Sequence, residues 1–185
     1  MNHLATSKED ILAASRDLIK ENGWAAVSIR AVASRCSVSA GTIYNYYESK
    51  ADLLNDTIES IWHEIFFHPE DEQIFHDVET CISWIYERLE YGNRQFPGFF
   101  SLHSFGFMRD EKTSGKKRMM KTWGHILNGL CEVLGNDPKV RADVFDQEFT
   151  EKKFADILFS LILVSMIRQD YDPSSVLMLV KKTLY

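Results

Sequence analysis

"VSAGTIYNYYESKADLL", residues 38–54, decides how the chain is read. Thr42, Tyr44, Asn45, Tyr46 and Tyr47 crowd uncharged hydrogen-bonding side chains into six positions, with Ser39 before them and Ser49-Lys50 after. Ser39 can cap a helix starting near Ala40, because a serine oxygen there accepts one of the N–H groups that a helix start leaves unpaired. Helical spacing then divides the stretch. Ile43 and Tyr47, four apart, turn inward; Thr42, Tyr44, Asn45 and Tyr46 turn outward, and Gly41 leaves room for close backbone approach. Asn45, read as mid-helix and outward despite modest helix propensity, is the residue hardest to explain by packing. Tyr44 and Tyr46 keep two readings, contact with a partner or half-buried packing on neighbouring helices.

Working outward, the chain before this stretch supplies two more short helices. Ser7 with Asp10 approaches a capping box, and Ile11, Leu12, Leu18 and Ile19 recur on one face until Asn22-Gly23, which predicts a helix over 8–22. Ser28 can cap a second helix carrying Ile29, Val32 and Ala33 and ending near Cys36. Only Cys36-Ser37-Val38 separates it from the third, the spacing of a helix-turn-helix whose second member enters a DNA major groove. Ser49 with Asp52 opens a fourth helix carrying Leu54, Ile58, Ile61 and Ile65. An asparagine offers adenine a donor and an acceptor together, and hydroxyls and a helix N-terminus serve phosphates.

Composition is compatible with such a role. The 185 residues are 45% hydrophobic, enough for one large or two small cores, and 21 Lys+Arg stand against 27 Asp+Glu. Residues 1–50 hold six basic and five acidic side chains, so the acidity lies beyond residue 50. Local field, not overall charge, is what neutralises phosphates. The longest apolar run, "ILFSLILVSMI" at 157–167, is shorter than the roughly 20 residues of a membrane span and reads as a buried helix. The three widely spaced cysteines and the lack of a secretory signal lead us to expect a cytoplasmic chain with free thiols and no membrane association.

Beyond residue 66, Pro69, Pro97, Pro138 and Pro173 punctuate further apolar-periodic segments. One carries Ile74, Val78, Ile82, Ile85 and Leu89; a looser one lies near 98–110; another carries Met119, Trp123, Ile126, Leu130 and Leu134. A last pair is expected over 146–170 and 174–184, too apolar for one buried face each. Between Trp62 and Phe107 fall 12 of the 23 aromatic residues, the supply that either an aromatic core or a pocket for a planar or apolar molecule needs. His63, His68, His76 and His103 lack the i, i+4 spacing of metal ligands. No phosphate loop, nucleophile elbow or carboxylate pair stands out, so no enzyme, metal or cofactor is expected.

Residues 7–54 resemble the DNA-binding region of TetR/AcrR-type transcriptional repressors. The likeness runs through Gly23-Trp24, the capped Ser28-Ile29-Arg30-Ala31-Val32-Ala33, Val38-Ser39, Gly41-Thr42-Ile43-Tyr44, the following aromatic pair and Ser49-Lys50, in register without a gap. It implies an all-α chain with a helix-turn-helix domain over 1–50 and a helical effector-binding and dimerisation domain over 51–185. It also implies a homodimer that binds a palindromic double-stranded DNA operator and is released by a small-molecule effector. Ser28 would meet a phosphate; Ser39, Thr42, Tyr44, Asn45 and Tyr46 phosphates or bases; Lys50, and in the same way Arg30, the DNA backbone. The effector would sit among Trp62, Phe66, Phe99, Phe100, His103, Phe107 and Trp123, and the last two helices, 146–184, would pair subunits. Three departures stand out: Ser37 where glycine is common, Ala40 where a basic residue is common, and Tyr46 where histidine is frequent. An interaction protein of the same fold, acting on a protein partner, is the alternative.

Overall fold

Serine and threonine caps set most of the helix starts. Ser7 Oγ accepts the Asp10 N–H at 3.1 Å while Asp10 Oδ2 accepts the Ser7 N–H at 2.8 Å, and this reciprocal box opens α1, Lys8–Asn22. The Ser7 hydroxyl, followed by its N–H, holds the Asp10 carboxyl below its usual range. Gly23, at φ +75°, ends the helix by donating its N–H to Ile19 O at 2.9 Å. After a single 3₁₀ turn, Trp24–Ala26, Ser28 Oγ accepts the Ala31 N–H at 3.1 Å and starts α2, Ile29–Arg35. The computed structural model describes residues 6–66, 75–100 and 114–185, the stretch 114–122 by its backbone alone.

The turn after α2 takes the left-handed form. Ser37 has φ +57°, its N–H reaches Ser34 O at 3.1 Å and the Val38 N–H reaches Ala33 O at 2.9 Å. This pair of bonds satisfies the carbonyls at the helix end and offsets the roughly 1 kcal/mol that a side chain costs there in place of glycine. Ser39 then caps α3, Ala40–Tyr44, and the chain re-enters a helix at α4, Lys50–Phe66, with the Asp52 N–H bonded to Ser49 Oγ at 3.2 Å. Ile11, Ile19, Val32, Ile43, Leu53 and Ile61 are all essentially inaccessible to solvent and form the core on which α1 to α4 close. Truncating such a residue, Ile43 to alanine for example, costs about 2–5 kcal/mol.

The chain divides into two compact units, one taking in residues up to His68 together with Arg94–Pro97, the other the remainder. In the second lie most of α5, Val78–Gln95, and the whole of α6, Ser114–Asn136, α7, Glu151–Arg168, and α8, Ser174–Leu184. Ile82, Leu89, Leu130, Leu134, Leu158, Ile162 and Val180 are its main buried aliphatics. Among the described residues every regular element is helical, as an all-α chain requires. The helix expected from residue 146 begins instead at Glu151. Asp146 Oδ1 accepts the N–H groups of Glu148 and Phe149, both at 2.7 Å, so 146–149 is a side-chain-stabilised turn, and Thr150 is the cap. Of the looser segment expected near 98–110, only residues 98–100 are among those described, with Phe99 and Phe100 buried.

A buried carboxylate organises one end of this unit. Asp137 accepts the Val78 N–H at 2.9 Å, the Lys139 N–H at 2.8 Å and the Tyr185 hydroxyl, tying together the start of α5, the end of α6 and the residue after α8. Arg141 donates to Leu184 O and Thr183 O from the same loop. A carboxylate taken out of water needs this many partners.

Candidate nucleic-acid interface

The outward face of the third helix is real, but the helix is short. α3 has five residues, so Asn45 is its C-cap and not a mid-helix position; its backbone is still right-handed helical and its side chain is exposed. Tyr44 beside it is 55% exposed, its ring projecting into solvent. Ile43 and Tyr47, at 0% and 3%, are the inward pair. Burial also pushes the Tyr47 phenol well above its usual range. Ser39 Oγ takes the Thr42 N–H at 3.1 Å and lies 3.0 Å from the Thr42 hydroxyl. Both side chains therefore have a structural duty, with hydroxyl capacity to spare. A Cβ built on Gly41 would meet only Ser39 Oγ, at 3.6 Å, an ordinary contact, so packing within the described residues does not demand glycine there.

Tyr46 behaves differently from its neighbours. It is half-buried, and its hydroxyl donates to Thr6 O at 2.6 Å. The half-buried Tyr46 ring and this bond fit the packing reading, whereas the exposed Tyr44 ring is available for contact.

The cations of the region are distributed unequally. Lys8 pairs with Asp56 at 2.6 Å, Arg16 with Glu9 and Glu64 at 3.0 Å, Lys20 with Glu64 at 2.6 Å, and Arg35 with Glu21 through Nη1 at 2.8 Å. The Arg35 guanidinium in turn holds the Glu21 carboxyl below its usual range. Arg30, in the first turn of α2, and Lys50, at the first position of α4, are exposed and in no ion pair with the described residues. Spacing cannot reveal this division, because the α4 carboxylates that hold Lys8, Arg16 and Lys20 are more than forty residues away.

Of the residues expected around an effector, Trp62 and Phe66 belong to the first compact unit and Phe99, Phe100 and Trp123 to the second. Trp62 and Phe66 stack at 5.6 Å within the first compact unit. Phe99 and Phe100 meet edge to face at 5.3 Å, and Trp123 meets Phe159 at 5.8 Å, all in the second unit. Phe99 and Phe100 are fully buried, whereas Trp123 is half-buried. His103 and Phe107 lie outside the described residues. Among the described residues no helix is long and apolar enough to cross a membrane.

Residues 11–57, which hold this constellation, match the domain described as "Bacterial regulatory proteins, tetR family". This is a tetR-family domain. Over 48 residues, 26% of the chain, the sequence is 38% identical to the HTH-type transcriptional regulator UidR of Escherichia coli K12, and the match spans about a quarter, 24%, of that relative. The fold agrees over nearly the whole chain. A transcriptional regulator from Rhodococcus sp. RHA1 superposes with a TM-score of 0.65 over 91% of this chain and 86% of its own, at 19% identity. The regulator FadR from Bacillus subtilis, solved in complex with stearoyl-CoA, superposes with a TM-score of 0.66 over 97% and 100%, at 18% identity. The tetR-type helix-turn-helix is therefore followed by a helical region with the architecture of these regulators.

Proposed function

We propose that the chain is a ligand-responsive, DNA-binding transcriptional regulator of the repressor type, acting as a homodimer on a palindromic operator. The observation that carries the reading is the exposed, uncharged face of α3, Tyr44 and Asn45, with room for a Cβ at Gly41 beside Ser39 Oγ, in a domain whose only cations outside ion pairs among the described residues are Arg30 and Lys50. Asn45 and Tyr44 read base edges; Ser28, Ser39, Thr42, Arg30 and Lys50 serve the phosphates. Ile157, Val164 and Ile167 on α7 and Met178 and Leu179 on α8 remain exposed, an apolar surface that supports pairing with a second copy. Two-fold pairing would set the reading helices roughly 34–36 Å apart, or a multiple of that.

The effector belongs with the aromatic side chains of the helical region and is small and largely apolar or aromatic. That a regulator of this architecture has been solved with stearoyl-CoA supports a fold that admits an apolar chain. Release from the operator requires that the effector bind more tightly to a subunit arrangement that no longer fits the groove spacing. Titration of labelled duplex from around the protein's own gene tests the reading. Saturable binding that an unlabelled scrambled duplex does not compete away is expected. No specific binding at low salt by folded, dimeric protein refutes it and favours a protein partner.

A further inference from the structure

Tyr46 has the sequence position of a DNA contact and the surroundings of a brace. Its hydroxyl donates to the Thr6 carbonyl at 2.6 Å, forty residues back, just before the cap of α1. The same edge of α1 gathers partners from the other helices of the domain. Cys36, the C-cap of α2, directs its thiol at Asp10 O at 3.8 Å, and Lys8 lies over the Tyr47 ring at 5.6 Å while pairing with Asp56 of α4 at 2.6 Å. Among the described residues, the bond from Tyr46 is the hydrogen bond by which a side chain of the segment trailing α3 reaches the start of α1. α3 is only five residues long, too short to hold its own direction, so whatever fixes its trailing end fixes where Tyr44 and Asn45 point.

We propose that Tyr46 is a positioning residue for operator reading: it acts through Thr6 by clamping the end of α3 to the start of α1 and makes no contact with DNA. This rests on the DNA-binding function proposed above. It assigns the aromatic pair Tyr46-Tyr47 wholly to the scaffold and leaves Tyr44 and Asn45 as the reading pair.

The variant Tyr46→Phe removes the hydroxyl and keeps the ring, so the fold survives. Its affinity for the duplex identified in the titration above, and for versions with one phosphate at a time replaced by a neutral methylphosphonate, is compared with wild type. Hydrogen exchange of the amides of residues 8–11 is followed in parallel. The expected result is about 3–10-fold weaker binding, the worth of one net hydrogen bond, in equal proportion on every duplex, with faster exchange at residues 8–11. Unchanged affinity overturns the proposal. So does a loss that disappears on one particular methylphosphonate duplex while exchange stays at the wild-type rate, because that pattern marks a direct phosphate contact. Wild-type protein that binds no duplex removes the DNA-binding function itself, and this role with it; either overturning pattern from Tyr46→Phe on an operator that wild type binds removes only this role.

Discussion

If four of the six basic side chains in residues 1–50 are held by the protein's own carboxylates, the salt dependence of DNA binding must be shallow for a dimeric regulator. On the function proposed above, Arg30 and Lys50 would supply two cations per subunit, four per dimer, and each neutralised phosphate contributes about −0.9 to the slope of log K against log salt. The expected slope is thus about −3.6, and doubling the salt weakens binding about 12-fold. If all six cations of each subunit reached phosphate, the slope would be about −11 and the same doubling would cost roughly 2,000-fold. Fluorescence anisotropy with a labelled operator duplex, between about 0.05 and 0.3 M potassium chloride, separates these regimes. Lys50→Gln and Arg30→Gln should each flatten the slope by about 1.8, because each subunit then neutralises one phosphate fewer, and the double variant should show almost no salt dependence. A wild-type slope steeper than about −7, or a Lys50→Gln variant with an unchanged slope, would refute the reasoning. Either result would mean that the ion pairs of Lys8, Arg16, Lys20 or Arg35 open on DNA, or that Lys50 does not touch it.

Further outcomes test other parts of the structure. Asn45→Ala and Tyr44→Ala should each reduce discrimination between operator and scrambled duplex, by about 1–3 kcal/mol where a bidentate bond to a base is removed, with the thermal unfolding midpoint unchanged because both side chains are exposed. Replacing Val164 and Met178 together by Asp should turn the proposed dimer into a monomer by sedimentation while helical circular dichroism is retained; a dimer that persists would place the subunit interface elsewhere. Stability should also respond to acid through Asp77. Its bonds from Thr80 N–H, first, and from Lys139 at 2.9 Å hold its carboxyl at about 2, below its unfolded value, so its contribution is fully present above pH 4 and is lost as pH falls through 2. Allowing for solvent screening, Asp77→Asn should lower stability at pH 7 by about 1 kcal/mol and show a smaller further loss than wild type between pH 4 and 2 in urea unfolding.

What the sequence makes legible is local. The caps at Ser7, Ser28 and Ser39 act on N–H groups three residues away, and the inward turn of Ile43 and Tyr47 follows from spacing alone, so each can be read in order along the chain. The left-handed turn at Ser37 is signalled only through the family resemblance, which commonly puts glycine at that position. Boundaries are less accessible. Asp146 reads as part of a helix because nothing in an apolar pattern shows that its carboxylate will take the N–H groups of Glu148 and Phe149. Asn45 reads as mid-helix for a related reason: periodicity shows which way a residue faces, not whether the hydrogen-bond ladder still runs beneath it. The bracing of Tyr46 and the pairing of the cations are out of reach altogether, because the partners Thr6, Asp56 and Glu64 are brought near only by folding.

The ion pairs of α1 and α2 also bear on how such a regulator would divide its time in a cell. Affinity for random DNA rises with every mobile cation a protein can lay along the phosphates, and a genome offers roughly 10⁶–10⁹ such sites. With Arg35 held by Glu21, and Lys20 by Glu64, a dimer of the proposed kind, presenting four mobile cations, would be detained briefly at each wrong site. Its search would proceed by frequent release and short hops, with little long sliding. Carboxylates far from any base, Glu21 and Glu64 among them, would then govern how quickly the operator is found, and a change from Glu21 to glutamine would make the protein stickier and slower without altering a single bond at the operator.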